Sequence, residues 1–438
     1  MRRVVVVRHK AIRAVLIGAA AALVLSGCGR ADDAGTPSGD ASNGGSQAAI
    51  DDSPAEGEIT IWMMGEEGEK FPDFATKFTE ENPDAKITVT TIPWGDVMTK
   101  FQTAVTAGTT PDAIMIGSSG MAAMVATGGL AQVPDGLVDA GSFVQGAADS
   151  VVANDATWAV PWYVETRVLY YRSDLAAEYG LDAPTTWDEA LEFSKAFQEH
   201  GAEWGMQLPV GQVENPSQVI LPWYSQQGGS ALTADGTAYD FDNDLMVEAM
   251  EYYASFFEQG VSPLTGYGDT AAPSFVDGSN PVFISGPWMV NVLGDLAGAD
   301  WVDQNVATAV IPGGKDNNNS YIGGAHLGVF KDAKNADGAW KLIRWLSQPE
   351  VQQEWWEASS DLPSVSSAWD YEPLQADERF KVLSDQLENT VAPPSVPTWD
   401  EIGGVISTES EKLIHGQTTA EEAVKAIQAK ADAVGLGW

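Results

Sequence analysis

The sequence predicts an α/β protein of two lobes joined by a strand that crosses between them, and three observations point there. The first is length: 438 residues exceed what one ordinary hydrophobic core organises, so two lobes are expected. The second is the order of periodic segments. Residues 58–63 alternate β-branched and polar residues as a strand, 71–81 carry an apolar helical face (Phe71, Phe74, Ala75, Phe78) ended by Asn82-Pro83, and 86–92 read as a strand. Residues 96–107 then read as a helix and 112–116 as a buried strand, the pattern of a mainly parallel sheet whose ligands lie beyond the carboxyl ends of its strands. The third is the stretch 158–172, an aromatic-rich strand with Glu165, Thr166 and Arg167 in its middle. Uncompensated burial of either charge costs several kcal/mol, so these residues line a wet crevice or pair with each other.

The pattern restarts after residue 174. Thr186 and Glu189 have the spacing of a capping box opening a helix over 187–198; 204–208 read as a strand, and a loop and helix follow through Gln218 and Trp223. A helix is expected over 246–259, strands over 281–288, 306–311 and 325–330, and helices over 338–346, 352–358 and 421–433.

The N-terminus is read apart from the fold. Five basic residues lead into the apolar run 14–25, too short for a permanent membrane span and of signal-peptide length, and the run ends Leu25-Ser26-Gly27-Cys28. This resembles a bacterial lipobox, with Cys28, the single cysteine, as the residue to be lipidated. Residues 29–57, rich in Gly, Ser, Ala, Asp and Pro, read as a flexible tether. The chain holds 62 Asp and Glu against 23 Lys and Arg, and such a surface repels nucleic acid and anionic lipid. One cysteine excludes internal disulfides, and the four histidines have no zinc-ligand spacing. Nucleophile-elbow, P-loop and dinucleotide motifs are missing, so no cofactor is expected.

What the chain has in excess is tryptophan, 16 residues, many on expected strand ends. Indole faces stack on the C–H face of a sugar ring, while carboxylates, amides and Arg satisfy its hydroxyls. The strand ends carry Glu66 and Glu67 after the first strand, Trp94 after the second, and Ser118 and Ser119 after the third. The same groups would suit a glycoside hydrolase, which needs two carboxylates with one held protonated.

Several motifs in order carry a family resemblance. They are Thr60-Ile61-Trp62, Thr110-Pro111-Asp112-Ala113-Ile114, Ala159-Val160-Pro161-Trp162 running to Tyr170-Tyr171-Arg172-Ser173-Asp174, and Pro184 to Glu189. Ile284-Ser285-Gly286-Pro287-Trp288, Gly323-Gly324, Trp345-Leu346-Ser347 and the segment from Ser395 to Trp399 follow. The chain resembles the extracellular solute-binding proteins of ABC sugar importers, the group that includes maltose- and trehalose-binding proteins. The resemblance implies a periplasmic-binding-protein fold, two α/β lobes joined by a multi-strand hinge, with lobe 1 over 58–165 and 293–345 and lobe 2 over 166–292 and 346–438. It implies a non-catalytic, monomeric receptor, lipid-anchored at Cys28 on the outer face of the cytoplasmic membrane, that carries a neutral carbohydrate to permease subunits. By position Glu165 matches the hinge-strand acid that contacts sugar, Trp288 a stacking indole, Trp399 a second stacking position, and Gly323-Gly324 a loop brought against the ligand. Ala325-His326 and Ser118-Ser119 depart from the family pattern. The expected ligand-binding set is Glu66, Glu67, Trp94, Ser118, Ser119, Trp162, Glu165, Arg167, Gln218, Trp223, Trp288, Gly323, Gly324, His326 and Trp399. A surface glycoside hydrolase or a receptor for a non-sugar solute are the alternatives.

Overall fold

Alternating apolar side chains organise the first sheet. In the computed structural model, which describes residues 49–438 apart from 155, 266 and 267, β1 (Gly57–Met64) pairs in parallel with β2 (Ala85–Ile92) on one side and β3 (Ala113–Gly117) on the other. The leader, Cys28 and the tether up to residue 48 lie outside the described residues. Ile59, Ile61, Ile114 and Met115 are fully buried between covering helices, as a parallel sheet requires. Helix formation begins earlier than the periodicity suggests: the strand-end residues Gly65, Glu66 and Glu67 already form the first turn of Gly65–Phe74, and a second helix covers Thr76–Glu81.

The crossing stretch is two strands rather than one. β4 (Val160–Thr166) and β5 (Val168–Arg172) meet at Arg167 and belong to different sheets. The two larger sheets also contain β6 (Val282–Ser285), β7 (Val306–Ala309), β8 (Ser320–Val329), β9 (Leu362–Pro363) and β10 (Thr390–Val391), and a separate two-stranded ribbon pairs Val152–Ala153 with Ala156–Thr157. The first sheet runs β9-β4-β8-β3-β1-β2, with β10 beside the start of β8; the second runs β6-β5-β7. Its far end pairing with β3 and its start pairing with β10, β8 is the second connection between the two halves.

Packing redraws the expected lobe boundaries. Leu293, Val302 and Val306 pack with Tyr170 and Phe283, and β7 lies antiparallel to β5, while Ile311 and Tyr321 join the cluster of Phe193, Trp223 and Ile406. The span 293–321 thus sits with the second sheet, and the return to the first half begins at β8. Leu346, Val351, Trp355 and Val365 pack with the first sheet. Hydrophobic pattern marks each element but not the edge it joins. Two smaller expectations also change. Over 204–208 there is only a bridge between Gln207 and Phe283, not a strand. The end of the expected tether is pinned: Arg344 donates to the carbonyls of Ile50 (3.2 Å) and Asp51 (2.7 Å), and Lys341 pairs with Asp51 at 2.9 Å. The capping box at Thr186 and Glu189 forms as expected, on Trp187–Glu199.

At the hinge, β8 meets β4 with Gly323 opposite Glu165 and Gly324 opposite Val164. Gly324 has φ +131°, and a Cβ there would lie 2.2 Å from the Tyr163 carbonyl oxygen, a backbone atom that cannot swing aside. Gly324→Ala is expected to destabilise the protein by about 1–3 kcal/mol, read as a lower urea midpoint. Gly323→Ala, whose Cβ would meet the side chains of Glu165 (2.6 Å) and Tyr321 (3.2 Å) but no backbone atom among its nearest neighbours, is expected to shift the midpoint less.

Candidate functional site

Strand alternation decides which side chains of the crossing stretch face the site. Positions 163, 165 and 167 share one face of the chain and 162, 164 and 166 the other. On the first face, Arg167 collects three partners. Its guanidinium pairs with Glu165 Oε1 at 3.0 Å, donates to Gln218 Oε1 at 2.8 Å, and lies 4.5 Å from the centroid of the Trp288 ring. Glu165 and Arg167 therefore do bridge each other, and the bridge is also the floor on which an amide and an indole are set. Ser320 Oγ donates to the Arg167 carbonyl (2.7 Å) and Thr166 Oγ1 to the Tyr321 carbonyl (3.0 Å), fixing the crossover.

Towards the first sheet the same face continues through Tyr163, whose hydroxyl donates to Glu67 Oε1 at 2.8 Å. Burial pushes the Glu67 carboxyl from its ordinary 4.5 up to about 7, and Glu165 and Glu66 add to the rise. Asp361, just before β9, accepts from Trp355 Nε1 at 3.0 Å; burial holds its carboxyl well above the usual range, with Glu67 and Glu165 pushing the same way. Glu66 is partly exposed and pairs with Lys70 at 2.7 Å. Trp94 is 43% exposed beyond the strand ends. Its indole lies so close that a Cβ on Gly65 would sit 2.6 Å from Nε1 and one on Gly117 3.0 Å from the ring. Ser118 Oγ donates to the Gly324 carbonyl at 3.0 Å, and Ser119 approaches Asp400. A continuous run of polar and aromatic groups thus extends from Trp94 through Glu66, Glu67, Tyr163, Glu165 and Arg167 to Gln218 and Trp288.

Four expected members face elsewhere. Trp162 has the wrong parity; it is 1% exposed and packs against Phe71, Tyr163 and Trp355. Trp223 is buried among Trp187, Tyr252 and Phe256, on the inner face of its helix. Trp399 is buried with Ile402 and Ile406, the first apolar anchor of Trp399–Ile414. His326 follows a register shift in β8 that turns it inward, where its Nε2 is 3.1 Å from Ser150 Oγ and burial lowers its pKa to about 3. Tyr163 was missed although the period-2 rule applied to Glu165 would have found it. Asp361 and Asp400 come from segments far along the chain, and no local pattern announced them.

The profile of the family described as bacterial extracellular solute-binding protein matches residues 64–353, about two thirds of the chain. The chain belongs to that family. It is 24% identical over 398 residues to the maltooligosaccharide ABC transporter solute-binding lipoprotein of Streptococcus pneumoniae, covering 85% of this chain and 88% of that one. It is 22% identical over 373 residues to the galactooligosaccharide-binding protein of Bacillus subtilis, covering 84% and 87%. Its fold superposes on the sugar-binding protein MalE of Xanthomonas citri with a TM-score of 0.75 at 27% identity, over 86% and 97% of the two chains. The two-lobed periplasmic-binding-protein fold is thereby the fold of this solute-binding protein.

Two hollows bear on how this solute-binding protein would admit a solute. One of about 30 Å³, bounded by Ser118, Gly146, Gly323, Pro393 and Ser395, touches the site but holds only a water or two. The other, about 570 Å³, lies between Leu181, Pro184 and the helix Trp187–Glu199 and shares no residue with the site. Among the described residues no group of three His, Cys, Asp or Glu could hold a metal ion, and no helix is long and apolar enough to cross a membrane.

The raised Glu67 has a testable consequence. Below its ordinary value the carboxyl is protonated in both folded and unfolded chains. Between 4.5 and about 7 the folded state holds the proton that the unfolded state has lost, so stability declines as pH rises through that window. Glu67→Gln should remove this slope. Its melting temperature should gain on that of the parent from pH 4.5 to 8, and parallel curves would place the carboxyl in a different environment.

Proposed function

We propose that the protein is the lipid-anchored receptor of an ABC importer, capturing a neutral sugar or oligosaccharide between its lobes and delivering it to permease subunits in the membrane. The observation that carries this is the grouping around Arg167. At the crossover between the two sheets, one guanidinium orders an acid, an amide and an indole, and Tyr163 and Glu67 extend the same face. That set supplies what a pyranose needs, a flat ring for its C–H face and acceptors and donors for its hydroxyls. A neutral ligand fits best. The Arg167 charge is matched by Glu165, which disfavours a phosphate, and Glu67 sits where burial resists ionisation, which disfavours a cluster of anions for a polyamine. Capture works by closure about the hinge, since the chain passes between the halves at Arg167, along β8 and again after β9, and the binding groups come from both sides.

The relatives support this reading, being by name receptors for maltooligosaccharide and galactooligosaccharide, the former a lipoprotein of an ABC transporter. Cys28 within Leu-Ser-Gly-Cys supports the anchor, which holds the protein on the outer face of the cytoplasmic membrane as a monomer. The glycosidase reading gains one observation, a raised Glu67 near Glu165, but Glu165 is held by Arg167 rather than free to attack or to activate water.

The first test is a thermal-shift panel of sugars and polyols, since a ligand bound only by the folded state raises its melting temperature. Trp288→Ala is expected to weaken sugar binding at least about tenfold, a loss of ~1.4 kcal/mol, without a matching fall in ligand-free stability. Glu165→Gln is expected to weaken binding at least as much and also to lower ligand-free stability, because it leaves the enclosed Arg167 guanidinium without its carboxylate. Turnover of aryl glycosides or oligosaccharides would instead make the protein an enzyme. Cys28→Ser is expected to leave the membrane fraction on fractionation; retention there would remove the lipid anchor from the proposal.

A further inference from the structure

The turn that follows β3 brings hydroxyls to the cleft but no acid: Ser118 is spent on the Gly324 carbonyl, and Ser119 comes next in the same turn, Ser118–Gly120. The carboxylate that faces this turn comes from the other half of the molecule. Asp400 lies against this turn: the point a Cβ would occupy on Gly120 is 3.6 Å from Asp400 Oδ2, and the neighbouring Ser119 side chain partly offsets the rise that burial gives the Asp400 carboxyl. Ser119 and Gly120 follow a strand of the first sheet, whereas Asp400 opens the helix Trp399–Ile414, whose buried face packs with Phe193 and Trp223 in the second half.

Neighbouring bonds fix where Asp400 points. Trp399, expected to stack on the ligand, is instead locked into the core, which turns the next side chain towards the cleft. Just before it, Thr398 bonds to the Gly435 carbonyl (2.6 Å) and to Tyr239 (3.0 Å), and just after it Glu401 pairs with Lys430 at 2.5 Å. The Tyr321 phenol feels Arg167, Glu165 and Asp400 together, so Asp400 belongs to the neighbourhood of the Arg167 group.

Two properties of Asp400 together define a crevice. Its surface is exposed to water, yet enough protein surrounds it that desolvation raises its pKa. An ionised carboxylate has acceptor capacity for about four donors. Among the described residues, no cation lies within ion-pair distance of it, and the side chain facing it from the turn is that of Ser119. The donors it lacks have to come from water or from what the cleft binds.

We propose that Asp400 is a ligand-contacting, specificity-determining residue: it accepts hydroxyl hydrogens of the bound sugar beside the turn that follows β3, with Ser119 across the cleft completing the contact. This rests on the sugar-receptor reading and deepens it by assigning a second hydroxyl-reading carboxylate beyond Glu165. A hydrogen bond from a hydroxyl to a charged acceptor is among the strong ones, and its loss is felt most by sugars that present a hydroxyl at that position.

The test uses the full chain and the sugar giving the largest thermal shift in the panel above, with its epimers and deoxy analogues as probes. Asp400→Asn is expected to weaken that sugar at least about tenfold by calorimetry, and to compress the difference between the parent sugar and one of its deoxy analogues. Ligand-free melting temperature should not fall, since removing an enclosed charge does not weaken the fold. Glu401→Gln, which touches only the Lys430 pair, is expected to bind as the parent does. If Asp400→Asn binds every analogue with the parent's affinity and ranking, or loses affinity only in step with ligand-free stability, the assignment is overturned. If no sugar binds the unaltered protein, the receptor reading fails first, and with it the basis for this one.

Discussion

The interaction on which the site depends is the pairing of Glu165 with Arg167 at the point where the chain passes from one sheet to the other. Both side chains are only 12–15% exposed, so each would be destabilising alone; together they can occupy the hinge. Such a pair contributes little net stability compared with apolar packing, and its value lies in direction. The guanidinium can meet Glu165, Gln218 and the face of Trp288 at once because Arg presents a planar fork with donors along its edge and a flat surface to stack. A lysine would keep the charge and lose the arrangement.

Around that pair the backbone is placed with little freedom. Gly323 lies opposite Glu165 because a side chain there would displace the carboxylate, and Gly324 adopts a conformation that other residues rarely take, against the Tyr163 carbonyl. The same close approach of β8 to β4 lies where the chain passes between the two halves, the geometry from which hinge closure is made. Enclosure then acts on the carboxyls beside the hinge. Glu67 and Asp361 are pushed towards their protonated forms by burial and by the acids around them, Glu165 in both cases, and Tyr163 and Trp355 supply the hydrogen bonds that make the enclosure tolerable.

Family membership and site geometry answer different questions. The match over residues 64–353 and the MalE superposition establish what kind of fold this is. Which solute it takes is a property of the side chains in the cleft, and there the chain has its own features: hydroxyls after β3, Asp400 facing them, and a histidine in β8 that is turned into the interior instead of towards the ligand.

The sequence by itself determined what is local. Strand alternation marked β1 to β3, the Thr186 and Glu189 spacing marked a capping box, and the placement of Glu165 and Arg167 in an apolar strand marked the seam, because burial of unpaired charge is too costly to be accidental. What only tertiary structure decided is non-local. The composition that nominated Trp162, Trp223 and Trp399 could not say that their large apolar surfaces close two cores, Trp162 that of the first sheet and Trp223 and Trp399 that of the second half, nor that 293–321 stays with the second sheet. Asp361 and Asp400 entered the site from some 200 residues further along the chain than Glu165, by strand pairing in one case and by approach across the cleft in the other. Periodicity fixes which way a side chain leaves its own element; which other elements it meets depends on how apolar faces are shared out among all of them.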